Sequence, residues 1–223
     1  MTITEPAATT GGTGFLEIPP TSAAVRRLYD DSIAQQGFLM NLTRLWGHRP
    51  ALHRGLFDLV GQAARAGRLT SRQRAILVVA AASAFGDGYC SLAWGSRLAG
   101  VAGDVAAGQV LRGDDDGLEP AERALAAWAR RVAVDPNATE ARDVQPLRDA
   151  GYDDAQIFAI TVFVALRLAF ANVNDALGAR PDAELLATVP AAVRHAVTFG
   201  RPAAGADSSP QPRGEQLART NHR

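Results

Sequence analysis

Cys90 is the only cysteine of the chain, and it lies at the centre of the segment FGDGYCSLAWG, residues 85–95. A thiolate is both a nucleophile and a reductant, so this residue is the first candidate for chemistry in the sequence. Asp87 precedes it by three residues, with Gly88 between them. That spacing suits a helix N-cap whose carboxylate accepts the backbone N–H of Cys90, but it equally suits a functional carboxylate in a remodelled pocket. Cys90 and Asp87 are therefore the candidate catalytic residues.

The charge of Asp87 bears directly on the reactivity of Cys90. A helix N-terminus stabilises a thiolate by about 0.3 to 1 kcal/mol. A carboxylate about 6 Å away opposes the thiolate by roughly 2.8 kcal/mol at an effective dielectric constant near 20, which is about two pKa units. The sequence thus predicts a weakly reactive thiol, or simply a small buried apolar side chain, unless an arginine such as Arg74 or Arg97 compensates.

Two aromatic residues next to Cys90 are candidates for a pocket. Trp94 follows it by one helical turn, which indicates either a core or interface ring or a platform for a flat apolar ligand. Tyr89 is the adjacent residue and is a second candidate for the pocket lining.

The histidines and asparagines carry weaker signals. His48 and His53 are five residues apart, which fits no helical metal pair, and we assign neither a catalytic role. Asn172 and Asn174 lie near the end of a long apolar segment, where we expect structural hydrogen bonds.

Composition excludes several classes of chemistry. All 23 basic residues are arginines, which removes Schiff-base and lysine-base mechanisms. They balance 23 acidic residues, so the bulk charge favours neither nucleic acid nor an anionic membrane as a partner. The acidic run at 114–116 lacks the spacing of a calcium loop, and the glycine-rich segments fit no nucleotide-binding fingerprint. We therefore expect no metal and no cofactor.

A reducing cytoplasm is the expected location. One cysteine cannot form an intrachain disulfide, and the first residues lack the basic start and apolar run of a signal peptide. The most apolar stretches, 75–86 and 157–171, are shorter than the roughly 20 residues that span a bilayer. Arg167 also interrupts the second stretch, so the sequence predicts no transmembrane segment.

The elements that must position these residues are helices. Apolar residues make up 47% of the chain and aromatic residues only 6%, and apolar positions recur at helical spacing between proline and glycine junctions. The pattern predicts an all-α, single-domain bundle of about eight helices over residues 21–199. Residues 1–20 and 200–223 lack this periodicity and are predicted to be flexible tails.

Three of the predicted helices matter most for the site. Thr70 and Gln73 form a capping-box pattern before AILVVAAASAFG, whose continuous apolarity predicts a helix covered on all sides. The next helix begins within DGYC and ends near Gly100. The longest helix is capped by Asp153 or Asp154 and carries apolar residues at helical spacing.

Three stretches together resemble one family. LTSRQRAILVVAAASAFGDGYCSLAWG is similar to the core of the alkylhydroperoxidase D and carboxymuconolactone decarboxylase superfamily, in particular its peroxidase-related branch. The segment that runs from GLEPAERALAAW to NVNDALGARPD resembles that branch in its order of helices, and NLTRLWGHRPALHRGLFDLV resembles the helices upstream. Together they cover roughly residues 22–185. The resemblance implies an all-α alkylhydroperoxidase D-like fold, a homo-oligomer and, in active members, a thiol peroxidase.

The motif of the active members is a glutamate, then C-x-x-C, then a histidine four residues after the second cysteine. One thiolate cleaves the peroxide, the other thiol reaches the sulfenic acid, and the glutamate and histidine move protons. The resemblance places the second cysteine on Cys90, the first on Asp87, the histidine on Trp94 and the glutamate on Ala75. Three of the four motif positions are therefore substituted. We expect Ala75, Tyr89 and Trp94 to line what remains of the pocket.

Two functions stay open from the sequence. The first is an antioxidant oxidoreductase, a thiol-dependent peroxidase of reduced or altered activity, in which Cys90 reacts with a hydroperoxide and an external thiol restores it. The second is a non-redox member that binds a small apolar metabolite near Cys90 or transfers protons in the same pocket. Carboxymuconolactone decarboxylases work without the cysteine pair, yet they rely on a glutamate and a histidine that this chain lacks at the matching places.

Overall fold

The structure, a computed structural model, describes residues 14–204, and these residues form helices and connecting segments without any strand. The all-α prediction is confirmed. Eleven α-helices occur in this part of the chain, in the order α1 Ala23–Gln36, α2 Asn41–Trp46, α3 Pro50–Ala66, α4 Ser71–Phe85, α5 Gly88–Ala102, α6 Asp104–Leu111, α7 Pro120–Val134, α8 Ala141–Asp149, α9 Asp154–Ala176, α10 Ala183–Thr188 and α11 Ala191–Ala196, with a 3-10 turn at Pro136–Ala138. Eight of them have at least eight residues, in agreement with the predicted number. The other three, α2, α10 and α11, have six residues each, too few for a periodic pattern.

Helix α4 lies at the centre of the core. Residues 75–82 are all buried, as the uninterrupted apolar segment predicted. The helix begins with the predicted capping box, in which the Thr70 hydroxyl accepts the N–H of Gln73 at 3.2 Å and the Gln73 side chain accepts the N–H of Thr70 at 3.0 Å. Helices α5 and α7 pack against α4, so the helix that carries Cys90 lies directly on the buried central helix.

Helix α9 is longer than the apolar stretch 157–171, from which the sequence analysis predicted no transmembrane segment. It has 23 residues, and it is the single helix among residues 14–204 that is long and apolar enough to cross a bilayer by length and composition. The stretch 157–171 is thus part of a longer apolar helix, and the absence of a transmembrane segment stays a prediction. Of its most apolar window, 44% is buried inside the fold, where it packs against α3, α4 and α7.

A close backbone contact fixes the start of α5. Phe199 and Gly200 cross directly over Gly88, the first residue of the helix. A Cβ atom on Gly88 would lie 2.6 Å from the carbonyl oxygen of Phe199, and Gly200 itself has a φ of +80°. No side chain fits at Gly88 unless the crossing segment moves, so the residues after α11 hold the helix start that carries Cys90.

Segments near both predicted domain limits contact the helical body. The N–H of Phe15 donates to the carbonyl of Leu177 at 2.8 Å, and the N–H of Ala204 donates to the carbonyl of Pro181 at 2.9 Å. The limits 21–199 and the two flexible tails stay predictions, because residues 1–13 and 205–223 lie outside the described residues.

Candidate functional site

Asp87 is the N-cap of α5, as its spacing to Cys90 predicted. Its Oδ1 accepts the backbone N–H of Cys90 at 2.9 Å, which satisfies one of the free donors of the first turn. The side chain is buried, and Oδ2 has no hydrogen-bond partner among the described residues. Burial raises the pKa of Asp87, against the opposing effect of hydrogen bonds from Cys90 and of the charge of Arg167. A functional role for this carboxylate stays a prediction.

The Cys90 thiol is buried in the first turn of α5, and the residue lines a cavity. Burial, and then the charge of Asp87, raise the pKa of Cys90 well above its usual value, while Arg167 acts in the opposite direction. The direction agrees with the weak reactivity predicted from the sequence. Near neutral pH this side chain is a protonated thiol.

The cation beside the thiol is Arg167, which the sequence analysis had used only as a break in an apolar stretch. It lies on α9 with 5% of its surface exposed. Interactions with Cys90 and Asp87 offset part of the lowering of its pKa by burial. Arg167 therefore supplies the compensating charge that the sequence had left unassigned.

The two arginines named from the sequence have different positions. Arg74 donates to the Ser71 hydroxyl at 3.0 Å in an exposed hydrogen bond at the start of α4 and does not line the cavity beside the thiol. Arg97 lies at the edge of the cavity, with its guanidinium carbon 4.7 Å from the centre of the Trp94 ring.

The cavity beside Cys90 has a volume of about 330 Å³ and is bounded by α1, α2, α3, α5 and α9. Much of its wall is apolar or aromatic and comprises Leu28, Met40, Leu42, Phe57, Tyr89, Ala93, Trp94 and Phe170. Tyr89 and Trp94 thus lie where the sequence analysis placed them. Ala75 does not line this cavity, because its short side chain is buried in the α4 core.

An aromatic cluster forms the side of the cavity that faces α3 and α9. The rings of Trp46 and Phe170 stack with centroids 5.3 Å apart, and His53 lies 4.6 Å from Phe57. Burial, and then the charge of Arg167, lower the pKa of His53 to about 4, so its imidazole is neutral near pH 7. The sequence analysis gave His53 no role, because a single histidine on a helix does not reveal which cavity it faces.

Tyr89 is anchored by a carboxylate that the sequence analysis did not single out. Its hydroxyl donates a short hydrogen bond to Asp182, which also accepts the N–H of Asn41 at 2.7 Å. Burial, and then the charge of Asp182, raise the pKa of Tyr89 above its usual value. This buried group joins the starts of α2 and α5 to the segment before α10.

The asparagines of α9 make structural hydrogen bonds, as predicted. Asn174 is buried and accepts the indole N–H of Trp46 at 2.8 Å, which fixes one member of the aromatic cluster. Asn172 donates to a carbonyl of its own helix at 3.1 Å. Neither lines the cavity. The adjacent Asp175 has its pKa raised to about 6 by burial and by the charge of Asp87.

Comparison with known proteins gives structural matches only. No protein-family model and no curated protein matches the sequence. An uncharacterized peroxidase-related protein from Ralstonia eutropha JMP134, described as an alkylhydroperoxidase AhpD core, matches with a TM-score of 0.66 and 23% identity over 78% of this chain and 94% of that chain. The debrominase Bmp8 in its apo form matches with a TM-score of 0.64 and 18% identity over 77% of this chain and 95% of its own. A cysteine-to-alanine variant of Bmp8 in complex with 2,3,4-tribromopyrrole matches with a TM-score of 0.62 and 18% identity over 78% of this chain and 95% of its own.

The chain therefore has the alkylhydroperoxidase D-like fold. The matches cover nearly the full length of each matched structure and more than three quarters of this chain. This confirms the fold that the resemblance of the segment around Cys90 implied. At identities of 18 to 23%, the likeness defines the fold, and the chemistry has to be argued from the residues of the cavity.

Proposed function

We propose that this protein binds a small, flat, apolar molecule in the cavity beside Cys90 and is at most a slow thiol peroxidase. The observation that carries the proposal is the cavity of about 330 Å³ with Phe57, Trp94 and Phe170 in its wall. A pocket of this size and lining suits an organic ring. A peroxide group needs neither that volume nor an aromatic wall.

A protein of the same fold supports a ring as the ligand. The debrominase Bmp8 has been solved with 2,3,4-tribromopyrrole bound. In this chain Trp94, at the position that the resemblance assigns to a histidine, adds an aromatic side chain to the cavity wall one helical turn from Cys90. We therefore propose a five- or six-membered ring, halogenated or otherwise apolar, as the ligand class.

Cys90 would contact such a ring as a protonated thiol, with the Asp87 carboxylate next to it. Burial and Asp87 both raise the pKa of the thiol, so the thiolate needed for nucleophilic attack is scarce near pH 7. A protonated thiol next to Asp87 suits proton transfer to or from a bound ring. This proposal corresponds to the non-redox function left open by the sequence, with the cavity beside Cys90 as its site.

Ring binding is tested with 2,3,4-tribromopyrrole by calorimetric titration and thermal unfolding. A ligand at about 100 times its Kd adds about 2.7 kcal/mol, which for a domain of this size raises Tm by roughly 5 to 10 °C. Ala93→Phe fills the cavity and should abolish the shift, whereas Ala169→Phe, on the exposed face of α9, should retain it. Equal shifts in the two variants would show that the ring binds elsewhere.

A thiol-dependent peroxidase is the second candidate, and the position of Arg167 beside the sulfur favours it. The Cys90 thiolate would attack the O–O bond of a hydroperoxide, the sulfur would be oxidised to a sulfenic acid, and the leaving alkoxide would take up a proton to become an alcohol. The chain has no second cysteine. Two molecules of an external thiol would therefore have to reduce the sulfenic acid, with release of water and of their disulfide.

Peroxide consumption in the presence of excess dithiothreitol separates the two candidates. We expect the parent protein to consume cumene hydroperoxide no more than about tenfold faster than Cys90→Ser, since a barrier difference below about 1.4 kcal/mol would mean that the thiol contributes little. A rate more than about a hundredfold above that of the variant would favour the peroxidase instead.

We also propose that the protein forms a homo-oligomer and is located in the cytoplasm. Several apolar side chains on the outside of the described chain are exposed, among them Ile33 on α1 and Leu52 and Leu59 on α3. An assembly that covers them would gain stability. Light scattering should give a multiple of the chain mass, and a monomer at micromolar concentration would contradict it. We propose neither nucleic acid nor a membrane as a partner.

A further inference from the structure

Two arginine side chains at the cavity share one aromatic ring. The guanidinium carbon of Arg167 lies 5.0 Å from the centre of the Trp94 ring, and that of Arg97 lies 4.7 Å from it. Both residues line the cavity. A guanidinium held against a ring face keeps its in-plane N–H donors available for another group.

These donors are not taken up by carboxylates of the protein. None of the five ion pairs among residues 14–204 includes Arg97 or Arg167. The Nε of Arg167 is buried without a hydrogen-bond partner among the described residues. The charge of Asp87 acts on Arg167, but no ion pair joins them. A buried donor without an acceptor is costly, and a ligand that brings an acceptor would remove that cost.

The other charged residues of the lining leave an excess of positive charge. Arg54 adds a third guanidinium, and Asp31 and Asp58 are the two carboxylates; all three side chains are exposed. His53 is neutral near pH 7. The cavity therefore presents three cations and two anions, and its buried charge is the guanidinium of Arg167.

We infer that the ligand of this cavity is a flat apolar ring that bears one carboxylate, with the carboxylate on Arg167 and Arg97 and the ring among the apolar side chains of the cavity wall. The inference rests on the proposed function and adds a charge to its ligand class. The planar fork of an arginine matches both oxygens of a carboxylate, and such charge-assisted hydrogen bonds are the stronger ones in a site shielded from water.

Calorimetric titration of the full chain with 4-bromobenzoate and with its neutral counterpart 4-bromobenzamide tests the inference. The benzoate should bind at least about tenfold more tightly, the value of one charge-assisted hydrogen bond. Arg97→Gln, at an exposed position, should weaken benzoate binding at least about threefold and leave benzamide binding unchanged. Arg74→Gln removes an arginine outside the cavity and should change neither affinity.

Arg167→Met, with its fold checked by circular dichroism, should abolish the preference for the benzoate. Equal affinities of the parent protein for the two compounds would overturn the carboxylate and leave ring binding intact. An equal loss in Arg74→Gln and Arg97→Gln would overturn it as well, since the effect would then be one of net charge. Binding of neither compound would overturn the inference, and the titration with 2,3,4-tribromopyrrole would then decide the proposed function separately.

Discussion

At the scale of single residues, two buried groups of opposite charge decide what Cys90 can do. Burial and Asp87 favour the protonated thiol, and Arg167 favours the thiolate. The Asp87 carboxylate belongs to the same helix start as the thiol. The Arg167 guanidinium belongs to α9 and also lies over aromatic rings; its carbon is 5.2 Å from the centre of the Phe170 ring. Changing either charge should therefore move the reactivity of the thiol in a known direction.

Asp87→Asn should lower the pKa of Cys90 and speed its alkylation by iodoacetamide at pH 8 by several-fold. The asparagine oxygen can still cap α5, while the negative charge next to the sulfur is lost. The rate constants of the parent and the variant measure the effect. Asp116→Asn, in an exposed loop, is the matched control and should leave the rate unchanged. A slower reaction in Asp87→Asn would contradict the assigned electrostatics.

His53 should make the chain less stable as the pH falls from about 6.5 towards 4. Its pKa in the folded protein is lowered to about 4, so in this window the unfolded state binds a proton that the folded state does not. Urea unfolding at pH 7 and pH 5 should show a smaller loss of stability in His53→Gln than in the parent. Asp175, whose pKa is raised to about 6, acts in the opposite sense but equally in both proteins. Equal losses would refute the burial of a neutral imidazole.

At the scale of elements, a bidentate ion pair joins the central helix α4 to α7. Arg72 Nε donates to Glu122 Oε1 at 2.6 Å, and its second nitrogen donates to Oε2 at 3.0 Å. Glu122 is buried, while a third of the Arg72 side chain is exposed. Arg72 also donates to the carbonyl of Val101 in α5 at 3.2 Å, so this side chain joins α4, α5 and α7.

Glu122→Gln should lower the free energy of unfolding by about 1 to 2 kcal/mol at pH 7, a value reduced for the exposure of Arg72. The hydrogen bond from Arg72 lowers the pKa of Glu122. Its stabilising effect is therefore present above the unfolded pKa near 4.5 and is lost as the pH falls through the lower folded value.

Urea unfolding of Glu122→Gln and of Glu140→Gln measures this contribution. Glu140 forms an exposed pair with Arg142 at 3.0 Å, and its loss should change the free energy of unfolding by less than about 0.5 kcal/mol. If the free energy of unfolding falls by the same amount in both variants, the α4–α7 pair stabilises the fold no more than an exposed ion pair does.

At the scale of the whole molecule, the order of helices follows from local signals, whereas the site depends on packing. Capping pairs such as Thr70 and Gln73, and junctions such as Gly37, lie within a few residues of the elements they delimit, so the sequence predicts the long helices well. Arg167 and His53 line the same cavity as Cys90 because α3 and α9 pack together on one side of it. Nothing near either residue in the sequence indicates that they share a cavity with Cys90.

The family resemblance pointed to residues that line the candidate cavity, but not to all of them. It identified Cys90 and Trp94, which line the cavity, and it also assigned Ala75 to the pocket because active members have a glutamate there. A glutamate has the length to reach out of a packed helix, but an alanine stays in the α4 core. The fold is therefore retained while the groups that surround the thiol are different, which is why the chemistry follows the cavity rather than the fold.

The most direct measurement of this account is the alkylation of Cys90 by iodoacetamide as a function of pH, with and without 2,3,4-tribromopyrrole, followed by mass spectrometry. We predict an apparent thiol pKa above about 8.5 and slower alkylation with the ring present, because the ring would fill the cavity through which the reagent reaches the sulfur. An apparent pKa below about 7, together with alkylation that the ring does not slow, would contradict both the protonated thiol and the ring-binding cavity.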